Sequence, residues 1–163
     1  MWQGNVKGLY ISRQAGTLPS SVTFVDAVPG RGLVGDRYYL GTGTYSNKPG
    51  YGGREITLIE SEVLEQLLEG VINAEGEKYG LALSPEESRR NVLTRGVPLS
   101  HLIGREFLVG EVVLLGVRAC EPCAHLERIT RPGVFRSLVH RGGLRAKIQV
   151  AGQIAVGDVI RPA

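Results

Sequence analysis

Glu106-Phe107-Leu108-Val109-Gly110-Glu111-Val112-Val113-Leu114-Leu115-Gly116-Val117 reads as two short apolar strands turning across Gly110-Glu111. Runs rich in β-branched and aromatic residues, broken by a glycine-containing pair, are a hairpin signal. The rest of the chain has the same texture, with 23 glycines spread through 163 residues and short apolar runs between them. This predicts many short strands and tight turns. Val6 to Ser12 and Val22 to Val28 read as early strands able to pair as a hairpin, and Arg54 to Ile59 and Val92 to Thr94 as further strands. Leu144 to Val150 and Ile154 to Ile160 read as a closing strand pair around Ala151-Gly152.

Helices are few. In Ser61 to Glu69 the apolar residues at 63, 64, 67 and 68 give one buried face, and Gly70 can end the helix. Ser84-Pro85-Glu86-Glu87 supplies a capping serine, a proline at the first helical position and a glutamate placed to bond back. A short helical turn is expected from Pro98 to Ile103. Pro29 to Gly53 has weak periodicity and reads as one long loop rich in Gly, Tyr and Arg, of the kind that is functional or mobile. The expectation is a mainly β, single-domain chain over 1–163: one β-barrel with a few short α-helices.

Directly after the hairpin comes Arg118-Ala119-Cys120-Glu121-Pro122-Cys123, which holds the only two cysteines. Such a pair suits half a zinc site, a redox dithiol, or a nucleophile with a tuning neighbour. Structural zinc needs further ligands, yet only His101, His125 and His140 remain, none at paired spacing. A thioredoxin-type pair opens a helix inside a βαβ unit, whereas the flanks here read as strand-rich and Gly-punctuated. Two buried, inert thiols are the plain alternative. Against it, Arg118, Glu121, His125 and Arg128 make the segment polar, and cationic neighbours favour the thiolate.

Composition bounds the rest. With 42% hydrophobic residues the chain can bury one core. It has no run of about 18 apolar residues and no signal-peptide pattern at its start, so a cytoplasmic protein with free thiols and no membrane association is expected. Of its 19 basic residues, 15 are arginine. Arginine's planar fork suits phosphate and carboxylate. A biased genome gives the same excess, so position decides. Arg89-Arg90-Asn91 sits where a capped helix meets a strand and suits an anionic, hydrogen-bonding ligand, although a helix end meeting its dipole explains it too. His140-Arg141-Gly142-Gly143-Leu144-Arg145 is a second basic element, with Asp36-Arg37 and Gly52-Gly53-Arg54 as weaker ones. No phosphate-loop or dinucleotide-binding glycine signature occurs. Net charge is +3 and no basic run exceeds two residues, which argues against nucleic acid.

Six segments in order, Gly32 to Tyr38, Arg54 to Ile59, Arg89 to Asn91, Gly104 to Phe107, Cys120 to Cys123 and Gly152 to Asp158, together resemble the MOSC domain, named after the C-terminal part of molybdenum cofactor sulfurase. The resemblance implies a distorted barrel of the MOSC and PK β-barrel type. It also implies binding of a molybdenum cofactor (Mo-molybdopterin), with no need for pyridoxal phosphate, and a cysteine that serves as molybdenum ligand or sulfur carrier. Cys123 matches the functional cysteine, as catalytic and metal-binding residue. Arg89 and Asn91 match contacts to the pterin or its phosphate, with Gly53, Arg54, Glu121, Gly143 and Arg145 nearby. The implied activity is reduction of small N-oxygenated substrates. The alternatives are persulfide transfer from Cys123 and a non-catalytic cofactor-binding module. The implied partner is an electron-transfer reductase or a sulfur acceptor. Where the family often has histidine after its aspartate-arginine pair, this chain has Tyr38.

Overall fold

The computed structural model describes residues 1–48 and 52–163. In it β1 (Gly4–Ile11) turns back into β2 (Ser20–Val22), followed by β3 (Phe24–Val28), β4 (Gly32–Leu33) and α1 (Arg37–Leu40). Next, β5 (Ile56–Glu60) runs directly into α2 (Ser61–Glu69). A small ribbon of β6 (Val71–Ile72) and β7 (Lys78–Tyr79) and then α3 (Pro85–Ser88) lead to β8 (Val92–Arg95). After a 3-10 turn at Leu99–Leu102 come β9 (Glu106–Val109), β10 (Val112–Ala119), α4 (Ala124–Ile129) and α5 (Val134–Leu138). The chain closes with β11 (Leu144–Val150), β12 (Gly152–Ala155) and β13 (Val159–Pro162).

Seven of these strands close on themselves in the order β9-β10-β11-β5-β8-β1-β13, and β13 returns to β9. The opening hairpin forms as read, with Val112 opposite Val109. Its inward residues follow the two-residue period of a strand: Val112, Leu114 and Gly116 are buried on β10, and Leu144, Ala146 and Ile148 on β11. They surround a core centred on Leu9, Ile56, Leu58, Phe107 and Leu114, all fully buried. The single parallel pairing among the barrel strands, β5 with β8, spans the crossover that contains α2. A second apolar cluster outside the barrel joins α2 (Val63, Leu64, Leu67) to Leu126 of α4 and to Val134 and Leu138 of α5. Hence β5 is buried along nearly its whole length: one face meets the core, the other the helical layer.

The sequence expectations are corrected at three places. Val22 to Val28 is two strands, not one, because the chain changes sheet at Thr23: β2 stays on β1, with Leu9 opposite Val22, while β3 joins β12 and β4. Leu144–Val150 and the last segment do not pair. β11 lies between β10 and β5, and the tail splits at a turn where Gly157 takes φ 95° and the Asp158 carboxylate accepts the Ala155 N–H at 2.9 Å. Beyond that turn β13 pairs with β9 and β1. Finally, among the described residues there are five short α-helices where two or three were expected. α1 interrupts the Pro29 to Gly53 stretch, of which residues 49–51 lie outside the described part, and α4 and α5 follow the cysteines.

Candidate functional site

The cleft that brings the arginines to the cysteines lies where α3, the start of α4 and the ends of β10 and β11 converge. Its wall contains Arg37, Arg89, Arg90 and Arg145, the two cysteines, and Tyr38, Tyr45, Thr57, Asn91 and His125. Among the described residues this wall has four arginines and no carboxylate. Such an arrangement crowds like charges and is relieved by an anion.

Each arginine reaches the cleft for a local reason. Ser84 caps α3, its hydroxyl accepting the Glu87 N–H at 3.1 Å with Pro85 in the first turn. The helix is only four residues long because Arg89 takes the left-handed conformation, φ 61°. There the guanidinium donates to the Thr17 carbonyl at 3.0 Å. Burial holds its pKa below the ordinary arginine value; Arg37 and Arg90 add to this, and Tyr38 and Asp36 oppose it. Arg90 is 8% exposed. Its fork donates to three carbonyls, Gly142 at 2.9 Å, Ser88 at 2.9 Å and Cys120 at 3.0 Å. Arg145 stands opposite Arg118 across β10 and β11, and its Nε is buried without a hydrogen-bond partner among the described residues. Arg118 in turn is held below the ordinary value by burial first and then by Arg145, with Arg54 adding and Cys120 opposing. Like charges facing each other across a ladder destabilise it, so three guanidiniums gathered here disfavour the bare barrel.

The two cysteines are unlike each other. Cys120 is 1% exposed, its N–H donating to the Gly143 carbonyl at 2.8 Å and its carbonyl accepting from Arg90. The polar segment therefore does enclose one buried thiol. Cys123 is exposed and caps α4. A short helix thus does begin at the pair, contrary to the strand-rich flank expected, although no βαβ unit surrounds it.

Of the residues named from sequence, Cys123, Arg89, Asn91 and Arg145 line the cleft. Asn91 uses its side chain internally. Its Oδ1 accepts the Thr57 N–H and hydroxyl, both at 3.0 Å, and its Nδ2 donates to the Tyr10 carbonyl at 3.1 Å, which knits β5, β8 and β1 together. Gly53 backs onto Arg145: at φ 77° a Cβ there would lie 2.8 Å from the arginine's own. Arg54 donates to the carbonyls of Tyr45 at 2.5 Å and Lys48 at 2.6 Å, fastening the loop whose Tyr45 lines the cleft. Glu121 and Gly143 lie off the wall. The Glu121 carboxylate accepts the His140 N–H at 3.1 Å. Gly143, at φ 105°, passes so close to the Leu58 carbonyl that no side chain fits. His140 and Arg141 line a separate depression with Glu60 and Leu99. Thr57 and Tyr45 were not singled out from sequence as cleft residues, and only the segments that hold them carried any signal, whereas His125 was named with the polar residues around the cysteines. Among the described residues no group of three His, Cys, Asp or Glu side chains is gathered to hold a metal. No helix among them is long and apolar enough to cross a membrane.

The barrel has solved counterparts. YuaD from Bacillus subtilis superimposes with a TM-score of 0.74 at 20% identity, covering 98% of this chain and 97% of that one. YiiM from Geobacillus stearothermophilus gives 0.70 at 13% identity, over 98% and 75%. YiiM from Escherichia coli gives 0.63 at 18% identity, over 100% and 70%. At these identities the likeness is one of fold. No curated protein matches the sequence. The MOSC domain model matches residues 45–161, most of the barrel and all of the cysteine segment, and the chain therefore belongs to the MOSC domain family.

Proposed function

We propose that the cleft binds the molybdenum cofactor, with the phosphate of its pterin among the arginines and the Cys123 thiolate as the protein's ligand to the metal. The observation that carries this reading is the buried Nε of Arg145, without a partner among the described residues, in a wall to which they bring no carboxylate. A buried guanidinium donor without an acceptor is costly, and a phosphate oxygen would satisfy it. The residues present fit the group in a second respect. A soft cysteine sulfur suits molybdenum. Arg89 and Arg37 would share the anion's charge with Arg145, while Arg90 and Asn91 hold the wall rigid through their internal bonds. Tyr38 and Tyr45 line the same cleft, with Arg37 over the Tyr38 ring and Lys48 and Arg54 over the Tyr45 ring. When bound, the molybdenum would supply oxygen removal from a small N-oxygenated substrate, with electrons delivered by a partner reductase in the cytoplasm. The whole chain acts as one domain in this reading.

The test is molybdenum and pterin content after purification from a host that makes the cofactor. Stoichiometric metal and pterin are expected in the wild type. Cys123→Ala should lose metal, and Arg145→Ala should lose both. A wild type carrying neither sinks the proposal. The exposure of Cys123 favours a second reading, in which this sulfur bears a persulfide and hands it to an acceptor; that reading needs no metal.

A further inference from the structure

Behind the cleft wall lies a buried carboxylate that neither reading uses. Asp36 is 1% exposed and stands directly before α1, where an aspartate ordinarily accepts an N–H of its own helix. Here the side chain makes no such bond. Its Oδ1 turns instead to the Ser12 N–H, which it accepts at 3.0 Å, and to the Arg37 guanidinium at 3.4 Å. A buried carboxylate is costly unless it is paired, so each of these two charges restrains the other. Arg37 meets a second restraint in the Tyr38 ring, whose centroid is 5.2 Å from its guanidinium. Its side chain is only 11% exposed, and it lines the cleft. The frame around Asp36 is itself tied down. The Ser12 hydroxyl donates to the Thr17 carbonyl at 2.9 Å, and the same carbonyl accepts from Arg89 at 3.0 Å. Thr42 joins the two segments from the other side, its N–H donating to the Arg37 carbonyl at 2.8 Å and its hydroxyl to the Arg13 carbonyl at 2.5 Å. Arg37 and Arg89, from distant parts of the chain, are therefore braced against one loop.

We propose that Asp36 is a positioning residue for the anion site, touching no ligand itself and aiming the Arg37 fork into the cleft. The inference rests on the anion-binding reading of the cleft and is independent of the chemistry at Cys123. Two effects of Asp36 oppose each other. By charge alone it is a hindrance, because a carboxylate beside the arginines lowers the positive potential that an anion meets. By geometry it is an aid. A phosphate takes two parallel N–H donors from one guanidinium, which works only while the fork keeps its plane. A fork already held in that plane gives up less freedom on binding. Geometry prevails here because Arg37 is almost wholly covered, with Asp36 and Tyr38 on its flanks, and its head has little water to compensate for a lost partner. Asp36→Asn separates the two effects. The amide oxygen still accepts the Ser12 N–H, so the loop frame stays, while the charge that fixes Arg37 is gone.

The experiment is a calorimetric titration of the whole chain with inorganic phosphate at low ionic strength. It compares the wild type with Asp36→Asn, Arg37→Ala and the double variant, each checked for folding by its urea midpoint. Asp36→Asn should bind phosphate roughly tenfold more weakly, although it is the more positive protein. Arg37→Ala should lose at least as much, and the double variant should match Arg37→Ala within about twofold, because Asp36 acts through Arg37. Losses that multiply in the double variant are the mark of a general structural role and overturn the proposal. So does Asp36→Asn binding as tightly as the wild type or tighter, which is what charge alone predicts. Arg37→Lys gives a test that does not depend on Asp36→Asn folding. It keeps the charge and the partner of Asp36 and removes the fork, so it should weaken binding about as much as Asp36→Asn does, and wild-type affinity in it overturns the proposal. A wild type that takes up no phosphate overturns the anion-binding reading of the cleft and this inference with it.

Discussion

Asn91 and Arg90 show how differently two neighbouring polar side chains serve one cleft. Asn91 spends its amide on Thr57 and Tyr10, so Asn91→Ala strands a buried N–H, a hydroxyl and a carbonyl at once. A loss of about 3 kcal/mol is expected from unsatisfied buried groups, read as a lower urea midpoint with unchanged slope. Arginine-arginine-asparagine was legible in the sequence as a polar set aimed at a ligand. Which atoms would face inward was not, because a carbonyl acceptor such as Gly142 or Cys120 leaves no trace in residue type. Glu87 makes a second case. Its pKa is held below the ordinary carboxylate value chiefly by the hydrogen bond from Arg131, with the Ser84 N–H contributing. A depressed folded-state pKa gives stability that is complete above the unfolded value and is lost as pH falls through the folded one. The pair is partly exposed, so the amount is below about 1 kcal/mol. Arg131→Gln should therefore lower stability at neutral pH and flatten its decline in acid, checked by thermal melts from pH 7 downwards.

At the level of elements, local chemistry decided what could be read. α2 occupies Ser61–Glu69 as its apolar spacing and Gly70 dictate, and the Gly70 N–H returns to the Gln66 carbonyl. The hairpin of β9 and β10 likewise follows from its own residues. The closing strands were misread because their partners lie far off in sequence: β12 seeks β3, and β13 seeks β9 and β1, and no local pattern encodes a choice of sheet. α4 and α5 were missed because each is about one turn long, too short for a helical period to register. The cap of α3 offers a direct test. Ser84→Ala should cost about 1 kcal/mol, and by loosening the turn that sets Arg89 it should weaken the phosphate binding proposed for the cleft. Chemical denaturation and phosphate titration read the two effects separately. Gly143→Ala should be more severe, since strain at φ 105° adds to collision with the Leu58 carbonyl across β11 and β5. Loss of soluble folded protein, scored by circular dichroism, is the expected result.

For the molecule as a whole, the barrel is sealed by few bonds. β1 meets β13 at Gly4 with Ile160 and Asn5 with Val159, supported by the Val6 N–H to the Asp158 carbonyl at 2.9 Å and the Gly157 N–H to the Val6 carbonyl at 2.8 Å. Ile160 is fully buried at that seam, so Ile160→Ala should cost about 2–5 kcal/mol in a urea titration. The mainly β class was legible from the glycines and the short apolar runs, whereas closure of the ring was not, because it depends on the two ends of the chain meeting.

The arginines of the cleft come from chain segments far apart in sequence: Arg37 before β5, Arg89 and Arg90 ahead of β8, and Arg145 on β11. No fragment of the chain carries the site, so an unfolded or half-assembled chain would have almost no affinity for the anion proposed to bind there. Occupancy and folding are then one equilibrium. A ligand at a hundred times its dissociation constant adds about 2.7 kcal/mol to the stability of the entire barrel. A cell supplied with that ligand would hold more of this protein than a starved one, at the same rate of synthesis.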